Sequence, residues 1–293
     1  MHRPRVIGHR GCRGLVPENT LPSIEKALDL RVGGIEIDLH LTRDGHILVT
    51  HDPWPLPDKC RTVLGSVENS PPLWSSLDLA TIQSQYIADG NPDPQQYPRQ
   101  TASFVGKFSP VLMAGALSPF SPPSLAQVFA LLKLYAQQSP EAAAYIRSLY
   151  VYLEVKRTPF CDPAQLGFFC EQFENLIAAI VRSPDNSCTK VVVLSFTVSV
   201  LQRFRHLLPQ TEIALLTAHR PVDIAHELAA LGTYLWCPHY RALKQETVQE
   251  AHRHGILVIP WTANDSQEMR ILLDWHVDGL MTDHPQQLQE LIS

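Results

Sequence analysis

The sequence lacks most of the short signatures that name a function outright. It has no Gly-x-x-x-x-Gly-Lys-Ser/Thr loop and no Gly-x-Gly-x-x-Gly fingerprint, so the common nucleotide-binding loops are absent. It has no Gly-x-Ser-x-Gly elbow, which argues against a serine hydrolase. Positive charge is not in excess: the net charge of −5 gives no basic face for nucleic acid or an acidic membrane. No apolar run approaches the ~20 residues of a membrane span, and the first seven residues carry no apolar signal core. The six cysteines (Cys12, Cys60, Cys161, Cys170, Cys188, Cys237) are scattered, with no Cys-x-x-Cys pair. Free thiols in a reducing, cytoplasmic setting are the expectation.

What is present is an ordinary globular composition, 45% hydrophobic and 18% charged over 293 residues, enough for a sizeable core. A short apolar run, Val6-Ile7-Gly8, ends in His9-Arg10-Gly11. The spacing of Ile24, Ala27 and Leu28 predicts a helix over 23–30, with Asn19 or Thr20 as its cap. Gly33-Gly34 ends it and a second strand begins, giving a β-α-β unit with a parallel sheet.

From Gly34 to Asp52 the pattern reads as two strands joined at Asp44-Gly45, the strongest local hairpin signal. A two-residue turn sets Arg43 opposite His46 and Asp38 opposite His51. Glu36 lies two residues before Asp38, so both carboxylates share one face of the strand. A one-residue slip of register would send His51 to the other face.

Residues 53–123 are rich in proline, serine and glutamine, with one helix-like piece over 76–86 and an apolar segment, Val111 to Leu117. So long a structureless loop is unusual in a compact domain. The expectation is one domain over 1–293, with 53–123 an insertion packed over the site, or else a surface loop without a role. Regular alternation then resumes. Strands are predicted at 150–156, 190–196, 212–217, 233–237, 255–259 and 279–282, and helices at 125–137, 164–181, 198–207, 224–231, 244–254, 266–274 and 285–292. Eight strands, each followed by a helix, with a β-hairpin after strand 2 and a long insertion before the next helix, make an α/β chain of (β/α)8 TIM-barrel type.

Active sites of such barrels lie at the C-terminal ends of the strands. There the sequence puts His9-Arg10, Glu36 and Asp38, Glu154 and Lys156 on the lumen side of the third strand, Trp261, and Asp283. Two like charges at ~4 Å repel by ~4 kcal/mol at an effective dielectric of ~20, so protons or a cation must relieve three convergent carboxylates. Lys156 is one such cation; all-oxygen ligation suits Mg²⁺ or Ca²⁺ as another. A structural salt bridge is the plainer use of Glu36 or Glu154. An ordinary imidazole suits proton transfer near neutrality, which makes His9 and His51 the acid–base candidates. Arg10 and Lys156 suit a phosphate, and Trp261 suits either the core or a substrate wall. His2, His206, His226, His252, His254 and His276 read as surface residues, and His219, His239 and His284 lie near strand ends.

The residues quoted above resemble a known family. His9-Arg10-Gly11-x-x-Gly14-x-x-Pro17-Glu18-Asn19-Thr20, Glu36-Ile-Asp38, Asp44-Gly45 and His51-Asp52-Pro53 resemble the glycerophosphodiester phosphodiesterases. So do Leu153-Glu154-Val155-Lys156, Ser195-Phe196, Trp261-Thr262-x-Asn264 and the stretch from Val277 to Asp283, in family order over nearly the whole chain. Residues 89–123 depart from the pattern.

The resemblance implies a TIM barrel and a metal-dependent cleavage of glycerophosphodiesters, such as glycerophosphocholine or glycerophosphoethanolamine, to sn-glycerol 3-phosphate and an alcohol. It implies Glu36, Asp38 and Glu154 as ligands of Mg²⁺ or Ca²⁺, with His9 and His51 as the acid–base pair. Two rivals stand beside it. One is a lysophospholipase D or phospholipase D on the same barrel, motivated by Val111 to Leu117. The other is a non-catalytic phosphodiester-binding protein, whose mark would be a missing ligand or histidine; none of the five is missing.

Overall fold

The computed structural model describes residues 3–66, 70–156, 163–181 and 190–293. Met1, His2, Cys161 and Cys188 lie outside these residues. Eight parallel strands form the framework: β1 (Arg5–Gly8), β2 (Gly34–Leu41), β3 (Tyr150–Val155), β4 (Lys190–Ser195), β5 (Glu212–Thr217), β6 (Leu235–Pro238), β7 (Leu257–Val258) and β8 (Gly279–Thr282). Their spatial order is 7-6-5-4-3-2-1-8. Backbone bonds from Asp278 N–H to Val258 O and from Met281 N–H to Pro260 O, both 2.9 Å, join the two end strands. The sheet is therefore a nearly closed α/β barrel of the predicted type.

Alternation along the strands divides the core. Ile35, Ile37 and Leu39 of β2 and Val151, Leu153 and Val155 of β3 pack outward on the helices. Tyr152 faces inward, where it joins Ile7, Leu194 and Met281 in the lumen. The side-chain period of two thus leaves Glu36, Asp38 and Glu154 on the inner face.

Thr20 caps the first helix, Leu21–Asp29, its hydroxyl accepting from Ser23 N–H at 3.2 Å. A helix at Pro140–Ser148 has no counterpart in the periodicity, yet Ser139-Pro140-Glu141 is a start signal, and Ser139 accepts from Ala142 N–H at 3.1 Å.

The hairpin forms with a different register. The return arm Ile47–Val49 pairs Leu39 with Val49, His40 with Leu48 and Leu41 with Ile47. The pairing is shifted by one residue from the two-residue turn. Thr42 N–H donates to His46 O, so three residues, Arg43 to Gly45, make the loop, and Gly45 takes φ +83°. A type I turn closed by a left-handed glycine is the next commonest hairpin loop, and Asp-Gly serves both.

Residues 53–123 carry structure of their own. Arg61–Thr62, Gly65–Ser66 and Tyr86–Ile87 form a small antiparallel sheet. The helix-like piece is a helix at Leu79–Gln85, where Trp74, Ile82 and Tyr86 bury a minor core. Val111 to Leu117 lies around the short helix Ser109–Leu112. Met113 is buried in the main core and Leu112 and Ala116 pack on it, while Val111 is exposed. Buried Glu25 of the first helix accepts the N–H groups of Phe108 and Ser109, fixing this part to the barrel.

Among the described residues no helix is long and apolar enough to cross a membrane. Cys12, Cys60, Cys170 and Cys237 are buried free thiols.

Candidate active site

Segments from most of the strands build the mouth of the barrel. The loop after β1 is the tightest. Arg10 and Asn19 both take left-handed φ, 51° and 56°, which non-glycine residues adopt only where surroundings hold them. Here the holding groups are visible. Arg10 N–H donates to Glu36 Oε2 at 3.0 Å, and Asn19 N–H donates to Arg10 O at 3.0 Å. Asn19 then grips Asp38 twice: Nδ2 donates to Asp38 Oδ2 at 2.7 Å, and Oδ1 accepts Asp38 N–H at 3.2 Å. Glu18 accepts from Arg10 (2.8 Å) and Lys59 (3.0 Å) and pairs with Arg13 (2.6 Å). Glu18-Asn19-Thr20 is therefore an anchor for cations, a clamp on Asp38 and a helix cap, in that order.

Register brings the carboxylates together. Asp38 of β2 lies beside Glu154 of β3, and Glu36 beside Tyr152. Glu36, Asp38 and Glu154 are all buried, and each offers a carboxylate oxygen within 4.8 Å of the others. Lys156 Nζ bridges two of them, 2.7 Å from Asp38 Oδ1 and 2.6 Å from Glu154 Oε1. Arg10 Nε is 3.3 Å from Asp38 Oδ2.

The charges sort accordingly. Burial alone would raise Asp38, but Lys156 and Arg10 outweigh it and hold the carboxyl well below its usual range. Burial, Asp38 and Glu154 together push Glu36 well above its usual range, with Arg10 and Lys156 only partly opposing. Burial also raises Glu154, against the pull of Lys156. For Lys156 burial disfavours the charge, yet Asp38 and Glu154 prevail and lift it to about 12. Glu36 Oε1 is buried with no hydrogen-bond partner among the described residues. A buried carboxylate oxygen without a donor is costly unless a cation or a proton meets it.

Both candidate acid–base histidines are held by carboxylates. His9 Nδ1 is 2.6 Å from Asp283 Oδ1, and His51 Nδ1 is 3.0 Å from Asp52 Oδ1. Burial alone would raise Asp283, but His9, Arg13 and Asn264 keep it ionised. An ionised carboxylate only accepts, so His9 Nδ1 carries the proton and Nε2 of the neutral ring is left basic. Burial lowers His9 itself, outweighing the opposite pull of Asp283. His51 does not arrive by the predicted pairing: Thr50, not His51, bonds Asp38, through Thr50 N–H to Asp38 O at 3.0 Å. That is the last bond of the arm; the chain bends at His51, which lines the cleft. Buried His40 Nε2 meets His51 O at 3.0 Å, and burial lowers its ring to about 4, so it is the neutral ring that donates.

A cleft of about 190 Å³ is lined by His9, Arg10, Glu36, His51, Glu154, Lys156 and Trp261, with Asp38 buried behind Lys156 and Arg10. All eight residues singled out in the sequence meet at this one place. Trp261 is half-buried, packing on the lumen core while it also lines the cleft. It lies edge-on to Phe196 (ring centroids 5.4 Å apart), and its Nε1 donates to Cys237 O at 2.9 Å. His239 backs the same ring at 4.9 Å, and His284 packs on Tyr97 outside the cleft. His252 and His254 bond Asp278 and Glu250 away from the mouth.

Sequence reasoning assigned no part to several residues that shape this site. Glu18, Asp52, Asn264 and Asp283 were within the quoted motifs and so were legible in principle. His40, Lys59 and Tyr97 carried no signal, because only the fold brings them to the mouth.

Cations and paired imidazoles around a buried acidic centre suit an anionic ester, which places the chain among barrel hydrolases of phosphate esters. Comparison with known proteins narrows this. A sequence model of the glycerophosphoryl diester phosphodiesterase family matches residues 9–287. A glycerophosphodiester phosphodiesterase of Caldanaerobacter subterraneus is 26% identical over 287 residues, covering 98% of this chain and 97% of its own. A Bacillus subtilis glycerophosphodiester phosphodiesterase is 27% identical over 289 residues, covering 96% and 83%. Among solved structures, a candidate glycerophosphoryl diester phosphodiesterase from Silicibacter pomeroyi superposes with a TM-score of 0.80 at 26% identity, over 99% of this chain and 92% of that one. A phosphodiesterase of Oleispira antarctica, solved with its product sn-glycerol-3-phosphate, shares the fold at a TM-score of 0.72 and 20% identity, over 99% and 96%. The chain belongs to the glycerophosphoryl diester phosphodiesterase family and is a phosphoric diester hydrolase.

Proposed function

We propose that the protein hydrolyses small glycerophosphodiesters, such as glycerophosphocholine or glycerophosphoethanolamine, to sn-glycerol 3-phosphate and an alcohol. The observation that carries this is the buried carboxylate triad, whose Glu36 Oε1 has no hydrogen-bond partner among the described residues, lying in one cleft with two carboxylate-held histidines. Glu36, Asp38 and Glu154 would hold a divalent ion, Mg²⁺ or Ca²⁺. All-oxygen donors fit a hard cation, and the elevated Glu36 and the orphaned oxygen call for positive charge. Such an ion supplies Lewis acidity and a template for the phosphate and glycerol oxygens.

The chain's own residues do the rest. Arg10 and Lys156 balance charge that grows on the phosphate. One of His9 and His51 removes a proton from the attacking oxygen, and the other gives a proton to the departing alcohol oxygen as its bond to phosphorus breaks, worth ~10²–10⁴-fold. Where the nucleophile is the neighbouring glycerol hydroxyl, a cyclic phosphate forms first, and water then opens it with the two histidines exchanging roles. Intramolecular attack of this kind reaches effective molarities of ~10⁵–10⁸ M. Trp261 and Phe196 wall the apolar side. Residues 53–123 are read as part of the site's wall within a single domain, supported by the bonds of Lys59 to Asp52 and Tyr97 to Asp283. A cytoplasmic setting is supported by four buried free thiols.

A lysophospholipid substrate rested on Val111 to Leu117. None of that segment lines the cleft, and Met113 is buried in the main core, so the small diester is preferred. A ³¹P NMR time course tests the reading. Metal-stripped protein receives glycerophosphocholine and lysophosphatidylcholine together, then Mg²⁺ or Ca²⁺. Growth of sn-glycerol 3-phosphate only after metal supports it, and a transient cyclic phosphate supports the two-step route. Growth of lysophosphatidate alone refutes it.

A further inference from the structure

Each candidate histidine uses only one oxygen of its carboxylate. The second oxygen of each carboxylate is taken by a residue of the 53–123 segment. Tyr97 Oη–H donates to Asp283 Oδ2 at 2.9 Å, and Lys59 Nζ donates to Asp52 Oδ2 at 2.7 Å. Residues nearly forty positions apart thus repeat one arrangement on the two halves of the site. We propose that Lys59 and Tyr97 are positioning residues that lock the two histidine–carboxylate pairs, so that the inserted segment acts through proton transfer rather than only covering the cleft. The proposal rests on reading His9 and His51 as the acid–base pair.

The physical reason is orientational. A carboxylate bound at one oxygen can still turn about its own bond and swing the imidazole with it. Binding the second oxygen removes that freedom, and catalytic proton transfer is sensitive to such placement. Both anchors are themselves fixed. Lys59 Nζ also donates to Glu18 Oε1 at 3.0 Å, and its side chain is largely buried. Tyr97 is buried, Arg13 lies over its ring at 4.7 Å, and its backbone O accepts from Asn91 Nδ2 at 2.9 Å.

The two locks are unequal. Asn264 Nδ2 also donates to Asp283 Oδ2, at 2.6 Å, so that oxygen keeps a partner when the Tyr97 hydroxyl is removed. Among the described residues Lys59 is the only group that hydrogen-bonds Asp52 Oδ2. Loss of Lys59 should therefore cost more.

The test is steady-state kinetics on the metal-loaded enzyme with two substrates, glycerophosphocholine and the glycerol phosphodiester of p-nitrophenol. Folding of each variant is checked by thermal melt. Lys59→Met should lower kcat on glycerophosphocholine roughly 10–100-fold, the usual cost of removing an outer orienting partner, and Tyr97→Phe several-fold, with KM little changed. Each should add no further loss in the Asp52→Asn or Asp283→Asn background respectively, because the carboxylate it acts through is already disabled. p-Nitrophenoxide departs without needing a proton, so the loss at whichever pair serves the acid should shrink with that substrate while the other persists. Lys59 also touches Glu18 and so Arg10; an effect by that route would appear in KM and multiply with Asp52→Asn. Multiplicative losses in both double variants, a change in KM alone, or equal losses on both substrates at both positions would overturn the proposal. Tyr97→Phe removes one hydroxyl and keeps the test readable should Lys59→Met not fold. His9→Gln and His51→Gln separate the levels. If they are inactive while the lock variants keep full kcat, only this inference fails; if they are active, the acid–base reading fails with it.

Discussion

Replacing Glu36 by glutamine should make the metal-free protein more stable and the metal-loaded protein less so. The carboxylate oxygens of Glu36, Asp38 and Glu154 lie within 4.8 Å of one another. At that separation and an effective dielectric of ~20, one like-charge pair costs ~3 kcal/mol. Glu36 carries the burden, since burial and its two neighbours push it well above the ordinary carboxylate range while Asp38 stays ionised against Lys156 and Arg10. Partial protonation already relieves some of the repulsion, so the gain from Glu36→Gln in metal-free protein should be about 1–3 kcal/mol. The amide oxygen can still accept Arg10 N–H, now 3.0 Å from Oε2. For a domain of this size ~1 kcal/mol corresponds to roughly 2–4 °C, so the melt should rise by several degrees. Mg²⁺ or Ca²⁺ at a hundredfold excess over its dissociation constant should stabilise wild type by ~2.7 kcal/mol, and should lose most of that effect on the variant. The assay is differential scanning calorimetry of both proteins, metal-stripped and with each ion. A variant that melts lower without metal, or that responds to metal as wild type does, refutes the electrostatic account of the triad.

Two further outcomes follow from the same geometry. His40 is buried with its ring lowered from 6.5 to about 4, so below pH 6.5 the unfolded chain takes the proton first; its contribution is whole above pH 6.5 and is lost as pH falls toward 4. Chemical denaturation at pH 7 and pH 5 should show wild type losing about 2 kcal/mol more than His40→Gln, and an unchanged difference between the two proteins would contradict it. Trp261→Ala removes a wall standing against Phe196 rather than a proton-transfer group, so KM should rise roughly tenfold with kcat nearly unchanged. A fall in kcat at constant KM would assign Trp261 to the transition state instead.

The barrel was legible because its cause is local. Each strand reads from its own apolar run, and helices such as 224–231 and 266–274 begin where Asp223 and Asp265 accept their first-turn N–H groups, with Gly232 closing the former. The carboxylate triad was legible for the same reason: a period of two along β2 and β3 puts Glu36, Asp38 and Glu154 on the lumen face whatever the rest of the chain does. His51 shows where this ends. Asp44-Gly45 specifies a turn but not its length, and the loop closed on three residues, so the pairing that would have faced His51 to Asp38 did not form. The histidine reaches the cleft because the arm makes its last bond at Thr50 and His40, from inside the sheet, holds the next bend through His51 O. Lys59 and Tyr97 lie further still from any local rule. They sit in a proline-rich stretch without periodicity, and their partners are 7 and 186 residues away. The sequence by itself determined which side chains share a strand face, since backbone geometry repeats every two residues. Only the tertiary structure decided which carboxylate each histidine leans on and what holds that carboxylate still, because hydrogen bonds between distant segments depend on where the whole chain has closed.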